Sequence, residues 1–242
     1  NNPNINTARI GAYNECPGST CAWGWPDQYD RSAEHNFYMN SGLDVAMPPI
    51  YPCSAWTLIN TYAAYGHTEL CINERHATFW SSLERLSTSA REMPNGHLLI
   101  PFIGGFLLTP GYTAAPPSRT DCRSLLQHIR LRGAYTYYCW YPMDNTNYTG
   151  DEDFRLDMKS AWNSFDWFFA LPGTREVLNL DTYKTVGVEW SGMKCGNVCL
   201  FIFSNFTDQA VQVDLPDNIQ GLQDLSPSIA AGSHLVWSCT LQ

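Results

Sequence analysis

The sequence lacks several features that would each define a class of protein. No run of about 18 apolar residues is present, so we expect no membrane-spanning helix. Only 14 lysines and arginines stand against 23 aspartates and glutamates, giving a net charge of −9, and no basic stripe is visible. This balance argues against nucleic acid or another polyanion as a partner.

Motifs for several common enzyme chemistries are also missing. The chain has no Gly-x-Ser-x-Gly elbow, no Walker loop, no His-Glu-x-x-His and no Gly-x-Gly-x-x-Gly. Its six histidines are scattered, and no cysteines follow the paired Cys-x-x-Cys spacing of a zinc site. We therefore predict neither a metal site nor a cofactor, and we interpret His97 and His128 as structural.

Cysteine, by contrast, is abundant. Nine cysteines are many for a cytosolic protein, and two sequons occur, at Asn147 and Asn205. Together they predict a secreted glycoprotein with disulfides, in which the odd cysteine is unpaired or bridged to another chain. The first residues lack an initiator Met and a signal-peptide core, so we expect a mature or truncated start.

A repeated pattern runs through the first two thirds of the chain. An apolar run ends in small, aromatic or polar residues and is followed by a loop and a helix-like stretch, at residues 8–16, 43–52, 97–106 and 132–141. This pattern is typical of parallel βα units. We predict an α/β fold in which residues 1–173 form part of a TIM-type (β/α) barrel. Four units make only half of an eight-unit barrel.

Helices are predicted between these runs, and the pattern changes after residue 173. The predicted helices cover residues 31–39, 55–65, 69–91, 118–130 and 151–171, the fourth with Ser118 as its N-cap. Short runs rich in β-branched and aromatic residues follow, at residues 177–181, 185–190, 198–204, 210–215 and 233–240. We predict that residues 174–242 form a C-terminal antiparallel β-sandwich domain.

Aromatic and polar side chains collect at the predicted strand ends, where parallel βα folds bind their ligands. They are Asn14, Glu15, Trp23, Trp25, Tyr51, Tyr138 and Trp140, with Asp144 just beyond. Aromatic faces stack on the C–H surfaces of a pyranose, while carboxylates and amides bond its hydroxyls. The sequence therefore predicts a carbohydrate site.

A strand that ends in Asn14-Glu15 resembles the acid/base strand of retaining barrel glycosidases, which often carry a small β-sandwich after the barrel. The resemblance implies that Glu15 protonates the leaving oxygen and then activates water, while Asn14 holds a sugar hydroxyl. Cys16 departs from the pattern, because the family usually has Pro after the Glu.

The second carboxylate that hydrolysis requires is missing from the other strand ends. Asp144 follows the last strand by several residues and is the candidate that remains. If the four units are the fifth to eighth of a barrel, the partner acid belongs to the first half. We therefore expect a second polypeptide, or an upstream half of the same precursor, to complete the barrel and cover its open edge.

Two other classes of function stay open. The chain fits a catalytically inactive, structural or assembly-forming extracellular glycoprotein on a hydrolase-like fold, and it also fits a lectin-like module that needs only the aromatic residues. Glu15 is equally consistent with a helix cap or an ion pair, and Tyr138 and Trp140 with packing of the barrel core.

Overall fold

The computed structural model describes residues 44–50, 72–93, 96–104, 118–140, 151–180, 187–215, 222 and 226–241. Their elements are, in chain order, β1 (Val45–Ala46), β2 (Pro49–Ile50), α1 (Glu74–Glu92), β3 (Leu98–Leu99), β4 (Phe102–Gly104), α2 (Arg119–Leu131), β5 (Tyr138–Trp140), α3 (Asp151–Asn163), α4 (Asp166–Phe169), β6 (Arg175–Val177), β7 (Val188–Cys195), β8 (Val198–Asn205), β9 (Val211–Gln212), β10 (Ser228–Ile229) and β11 (His234–Thr240). None of these helices is long and apolar enough to cross a membrane.

The first five strands pair in parallel. β1 lies beside β3, and β2, β4 and β5 form a second sheet in the order β2-β4-β5. In that sheet Pro49 lies opposite Phe102, and Phe102 lies opposite Tyr138. The parallel pairing predicted for residues 43–52, 97–106 and 132–141 is confirmed. The first predicted unit, residues 8–16, lies outside the described residues, and barrel closure stays a prediction.

Helices α1, α2 and α3 cover one face of these strands. Ile50 and Ile103 are neighbours in register, and both point into the apolar core that the helices complete. The helical side of this core includes Phe79, Leu83, Leu86, Leu125, Leu126, Ile129, Phe154 and Met158. Because side chains alternate along a strand, Phe102 and Tyr138 lie on the opposite face.

Local signals set where the helices begin and end. The Ser118 hydroxyl accepts a hydrogen bond from the Asp121 amide at 3.1 Å, and the Asp121 carboxylate bonds back to the Ser118 amide, so the predicted N-cap is confirmed as a capping box. α1 begins at Glu74, capped by Asn73, instead of at residue 69. The predicted helix over residues 151–171 is interrupted after Asn163, where the Ser164 hydroxyl donates to the Ala161 carbonyl.

The C-terminal part is an antiparallel sheet in the order β11-β8-β7-β6, with a two-stranded ribbon of β9 and β10. One row of β8, with Leu200 and Ile202, packs against Leu131, Phe165 and Phe168 of the helical layer. The other row consists of Cys199, Phe201 and Phe203, and it packs against residues that include Val213, Leu215 and Ile229. A C-terminal antiparallel sheet is therefore present, and its central strands β7 and β8 are buried on both faces. The strand predicted at residues 177–181 lies instead at Arg175–Val177, and the sandwich arrangement stays a prediction.

β7 is longer than the sequence predicted, because it continues to Cys195 instead of ending near Trp190. Gly192 lies at its centre, opposite Phe201. A Cβ atom at Gly192 would lie 2.6 Å from the Phe201 ring, so this glycine makes room for the aromatic row of β8.

Candidate functional site

The carboxyl ends of β2, β4 and β5 lie at one edge of the parallel sheet, where the sequence predicts the carbohydrate site. Tyr138 is the first residue of β5 and Trp140 is its last. The structure thus places these two predicted residues on the strand next to β4. The other predicted site residues lie outside the described residues: Asn14, Glu15, Trp23, Trp25, Tyr51, Asp144 and the sequon residue Asn147.

Tyr138 presents an aromatic surface on the sheet face that the helices leave open. Its ring stacks on Phe102 with 5.0 Å between centroids and 14° between planes, and the residue is 49% exposed. The neighbouring Cys139 points the other way and packs against the helix-covered core. A flat exposed ring with a second ring behind it is a surface on which the apolar face of a sugar can stack.

A second group of polar side chains lies buried between α2 and the C-terminal sheet. It forms a hydrogen-bonded series, called here the polar chain, whose members are Arg132, Ser191, His128, Ser204, His234 and Asp121. The successive distances are 2.7, 2.8, 2.9, 2.6 and 2.9 Å. The series joins one helix to three strands.

The charges of Arg132 and Asp121 at the two ends, together with a neutral His128 between them, determine which group donates each hydrogen bond of the polar chain. Burial lowers the pKa of His128 well below its usual value, with the Arg132 charge acting in the same direction, so His128 is neutral. Burial alone would raise the pKa of Asp121, but hydrogen bonds from His234 and Arg75 outweigh it and hold this pKa below its usual range. With Arg132 donating to Ser191 and a carboxylate accepting at the far end, each group can donate to the next toward Asp121.

Three members of the polar chain have the order of a nucleophilic triad. The Ser204 hydroxyl lies 2.6 Å from His234 Nδ1, and His234 Nε2 lies 2.9 Å from Asp121. Ser204, however, has no exposed surface, and its hydroxyl also contacts His128 and Ser124, each at 2.9 Å. A substrate carbonyl has no approach to that oxygen, so we assign the trio a structural role.

The cationic end of the polar chain is also fully satisfied. Arg132 has no exposed surface and donates to the Ser87 hydroxyl at 2.6 Å and to the Trp190 carbonyl at 3.0 Å. Glu189 lies 4.0 Å from the same guanidinium and 3.1 Å from His76. Burial raises the pKa of Glu189, and the contact with His76 offsets part of that rise.

Within the described residues, no group of three or more His, Cys, Asp or Glu side chains is placed to hold a metal ion.

Sequence reasoning missed the polar chain because its members lie far apart along the chain. His234 and Asp121 are separated by 113 positions, and His128 and Ser191 by 63. The interpretation of His128 as a structural residue agrees with its position. A usable sequence signal was the Ser118 capping box, which fixes the helix that carries Asp121, Ser124 and His128.

The predicted glycosylation residue Asn205 is buried at the end of β8. Its Nδ2 atom, the atom that would carry a glycan, donates to the carbonyls of Gln209, Ile229 and Ala230 at 2.7, 3.1 and 3.2 Å. Its Oδ1 atom accepts from the amide and the hydroxyl of Thr207. A glycan on Nδ2 would replace these bonds, so the side chain serves the turn after β8 in this structure.

The structure shows no disulfide between cysteines of the described residues. Cys195 donates weakly toward the carbonyls of Leu171 and Pro172, and Cys199 lies opposite Cys239 in the antiparallel register. The predicted disulfides thus stay a prediction.

Comparison with known proteins finds no matching family profile and no matching curated protein. Among solved structures, the chain is similar to a cyclic alpha-maltosyl-(1→6)-maltose hydrolase from Arthrobacter globiformis, with 14% identity over 89% of this chain and 48% of that chain, at a TM-score of 0.40. A conserved exported protein from Bacteroides fragilis follows, with 10% identity over 81% of this chain and 46% of that chain, at 0.39. An endo-beta1,6-glucanase shares 11% identity over 87% of this chain and 46% of that chain, also at 0.39. The chain thus spans about half the length of these structures.

Proposed function

We propose that the chain is part of a secreted carbohydrate-active protein of the glycoside-hydrolase type, with its glycan site at the carboxyl edge of the parallel sheet. The observation that carries the proposal is the register of β2, β4 and β5, which brings the ends of three predicted βα units to one edge. The exposed Tyr138 ring, stacked on Phe102 at the amino ends of the short strands β5 and β4, supplies an aromatic surface on the open face of the same sheet.

In this proposal Glu15 is the acid/base, Asn14 orients a sugar hydroxyl, and Asp144 is the candidate second acid. Trp23, Trp25, Tyr51, Tyr138 and Trp140 line the glycan cleft. A retaining enzyme requires its two carboxyl groups about 5 Å apart. If Asp144 does not meet that distance from Glu15, the second acid comes from the completing chain. These roles rest on the residue types and their places at predicted strand ends.

Glycan binding tests the aromatic part of this proposal. We expect Tyr138→Ala to weaken binding to the glycan that the intact protein recognises by at least about tenfold, or roughly 1.4 kcal/mol, in isothermal titration calorimetry. Tyr135→Ala is the matched control, because Tyr135 is 69% exposed but precedes the strand. Equal loss in both variants would place the glycan elsewhere.

Hydrolysis tests the catalytic part. Glu15→Gln removes the titrating proton and keeps the shape of the side chain, so we expect loss of cleavage with binding retained. If the protein assembled with its completing half cleaves none of a broad glycan panel, the enzymatic proposal is wrong.

A second candidate function is supported by a separate observation. On the face turned away from the helices, Leu98 is 38% exposed and Tyr138 is 49% exposed, which is apolar surface that a completing polypeptide would cover. An inactive, assembly-forming glycoprotein needs that association and no acid pair. Leu98→Asp is expected to reduce association in size-exclusion chromatography with light scattering, whereas an unchanged mass would contradict this role.

A further inference from the structure

Cys199 and Cys239 lie on neighbouring antiparallel strands and face each other. Cys199 belongs to β8, Cys239 belongs to β11, and the register pairs them directly. Because residues directly opposite each other in a ladder point to the same face of the sheet, the two side chains lie side by side. Both side chains point into the apolar layer that contains Phe201, Phe203 and Trp237.

The ladder between the two strands places the Cα atoms of this pair within the range that a disulfide spans. The amide of Asn205 donates to the Ser233 carbonyl, and the amide of Leu241 donates to the Asn197 carbonyl. Hydrogen-bonded pairs alternate along an antiparallel ladder, so the Cys199 and Cys239 pair is of this type, with Cα atoms about 5.5 Å apart. Disulfides join Cα atoms that are ~4.4 to 6.8 Å apart. Their Cβ atoms lie ~3.5 to 4.5 Å apart, whereas those of directly opposed residues lie ~4.5 to 5.5 Å apart, so bond formation requires the two strands to approach slightly.

We propose that Cys199 and Cys239 form a cross-strand disulfide when the protein is exposed to a low-molecular-weight disulfide, and that this bond covalently links β11 to β8. Within the described residues β11 is the edge strand of its sheet, and weakly held edge elements are among those that open first in local unfolding. The cross-link would hold it closed. β11 also carries His234, so the lock would stabilise the end of the polar chain next to Asp121.

The reaction balances as two thiol–disulfide exchanges. The thiolate of the more exposed Cys239 attacks the small disulfide RSSR, forms a mixed disulfide and releases RS⁻. The Cys199 thiolate then attacks the Cys239 sulfur and expels the second RS⁻. The two cysteines lose two electrons, the small disulfide is reduced, and the two thiol protons end on two RSH molecules.

Burial of both thiols predicts slow exchange at neutral pH. Burial raises the pKa of Cys199 to about 11, and the neighbouring Cys239 acts in the same direction. Burial also raises the pKa of Cys239. The thiolate fraction, and with it the rate of cross-linking, is therefore expected to rise about tenfold per pH unit between pH 7 and 9.

The sequence permits a sharp test by peptide mass. No Lys or Arg lies between Lys194 and Gln242, so the tryptic peptide that begins at Cys195 contains Cys195, Cys199 and Cys239. In a Cys195→Ala variant only the proposed pair remains there. After treatment with glutathione disulfide and blocking of remaining thiols, we expect this peptide to carry no alkyl group and to weigh about 2 Da less than its unalkylated reduced form.

Two outcomes would overturn the pairing: both thiols accept an alkyl group after treatment, or each carries a glutathione adduct. The locking role has its own readout. Oxidised Cys195→Ala is expected to melt about 5 to 10 °C above its reduced form, whereas a Cys195→Ala, Cys239→Ala double variant shows no such rise. A cross-linked peptide without a rise in Tm would contradict the locking of β11.

Discussion

His234, in the last strand, lies 2.9 Å from the carboxylate of Asp121, in the first turn of α2. The same carboxylate forms an ion pair with Arg75 at 2.6 Å, and it accepts the capping-box hydrogen bond from the Ser118 amide of its own helix. One carboxylate thus joins α1, α2 and the edge strand of the C-terminal sheet. The stability of this junction depends on that charge.

Replacing Asp121 is therefore expected to be costly. Asp121→Asn keeps the size of the side chain but removes the charge that Arg75 and His234 meet, and we expect a loss of about 2 to 3 kcal/mol in the free energy of unfolding. The value is below that for a fully buried pair, because the Arg75 side chain is 37% exposed. Urea denaturation measures it.

Asp153→Asn is the matched control for that change. Asp153 pairs with Arg119 at 3.0 Å, but that arginine side chain is 43% exposed. Surface pairs contribute at most about 1 kcal/mol, so equal losses in the two variants would contradict the role assigned to Asp121.

The buried, neutral His128 predicts a loss of stability on acidification. Its pKa is depressed in the folded state, so only the unfolded chain takes up this proton as the pH falls below the ordinary histidine value of 6.5. Stability is then lost from pH 6.5 downward, by up to about 1.4 kcal/mol per pH unit. Glu189 acts oppositely, because its raised pKa favours the folded state on acidification.

His128→Gln isolates the histidine contribution. The variant is expected to be less stable at pH 7 and to show a shallower dependence on pH between 7 and 5 than the wild type. A wild-type slope in His128→Gln would show that another group titrates.

Asn205 is expected to stabilise the turn after β8 whether or not a glycan is ever attached. Asn205→Ala leaves the carbonyls of Gln209, Ile229 and Ala230 without their donor, and we expect a loss of about 2 to 3 kcal/mol in unglycosylated protein. Asn163→Ala, at an exposed position, should change stability by less than about 0.5 kcal/mol. A neutral Asn205→Ala would contradict this structural role.

Gly192 tests the packing between β7 and β8. The added methyl group of Gly192→Ala meets the Phe201 ring at 2.6 Å inside a closed sheet, so we expect a loss of about 1 to 3 kcal/mol. Combining it with Phe201→Leu should show a favourable coupling, because the smaller side chain removes the clash. Strict additivity in this double-mutant cycle would mean that the strain lies elsewhere.

The sequence predicted the elements whose signals are local. Ser118 caps α2 through an amide three residues away, and the apolar runs that contain Ile50 and Ile103 marked the parallel strands. The sequence predicted too short a β7 for two reasons. Gly192 and Lys194 are residue types common in turns, and a strand that is buried on both faces lacks the alternation of apolar and polar residues that marks a half-exposed strand. The prediction of helix over residues 151–171 missed the break, since the bond from Ser164 to Ala161 has no periodic signature.

The candidate site was less predictable for a physical reason. Tyr138 can be assigned to a strand end from the sequence, but its stacking on Phe102 depends on the pairing of two segments 36 positions apart. The polar chain depends on contacts over still longer separations, and its serines and histidines follow no motif. Long-range pairing, more than residue type, decides which of these side chains meet.

The two faces of β8 carry different kinds of side chain, and this difference specifies the register in which β8 pairs with its neighbours. Phe201 and Phe203 face one core, whereas Ile202 and Ser204 face the other side, where Ser204 meets His128 and His234. A slip of the register by one residue would move the Ser204 hydroxyl into the aromatic layer, and the imidazoles of His128 and His234 would lose their hydrogen-bond partner. Misaligned chains are thus penalised during folding by lost hydrogen bonds as well as by poor packing, which leaves a single alignment for the central strand.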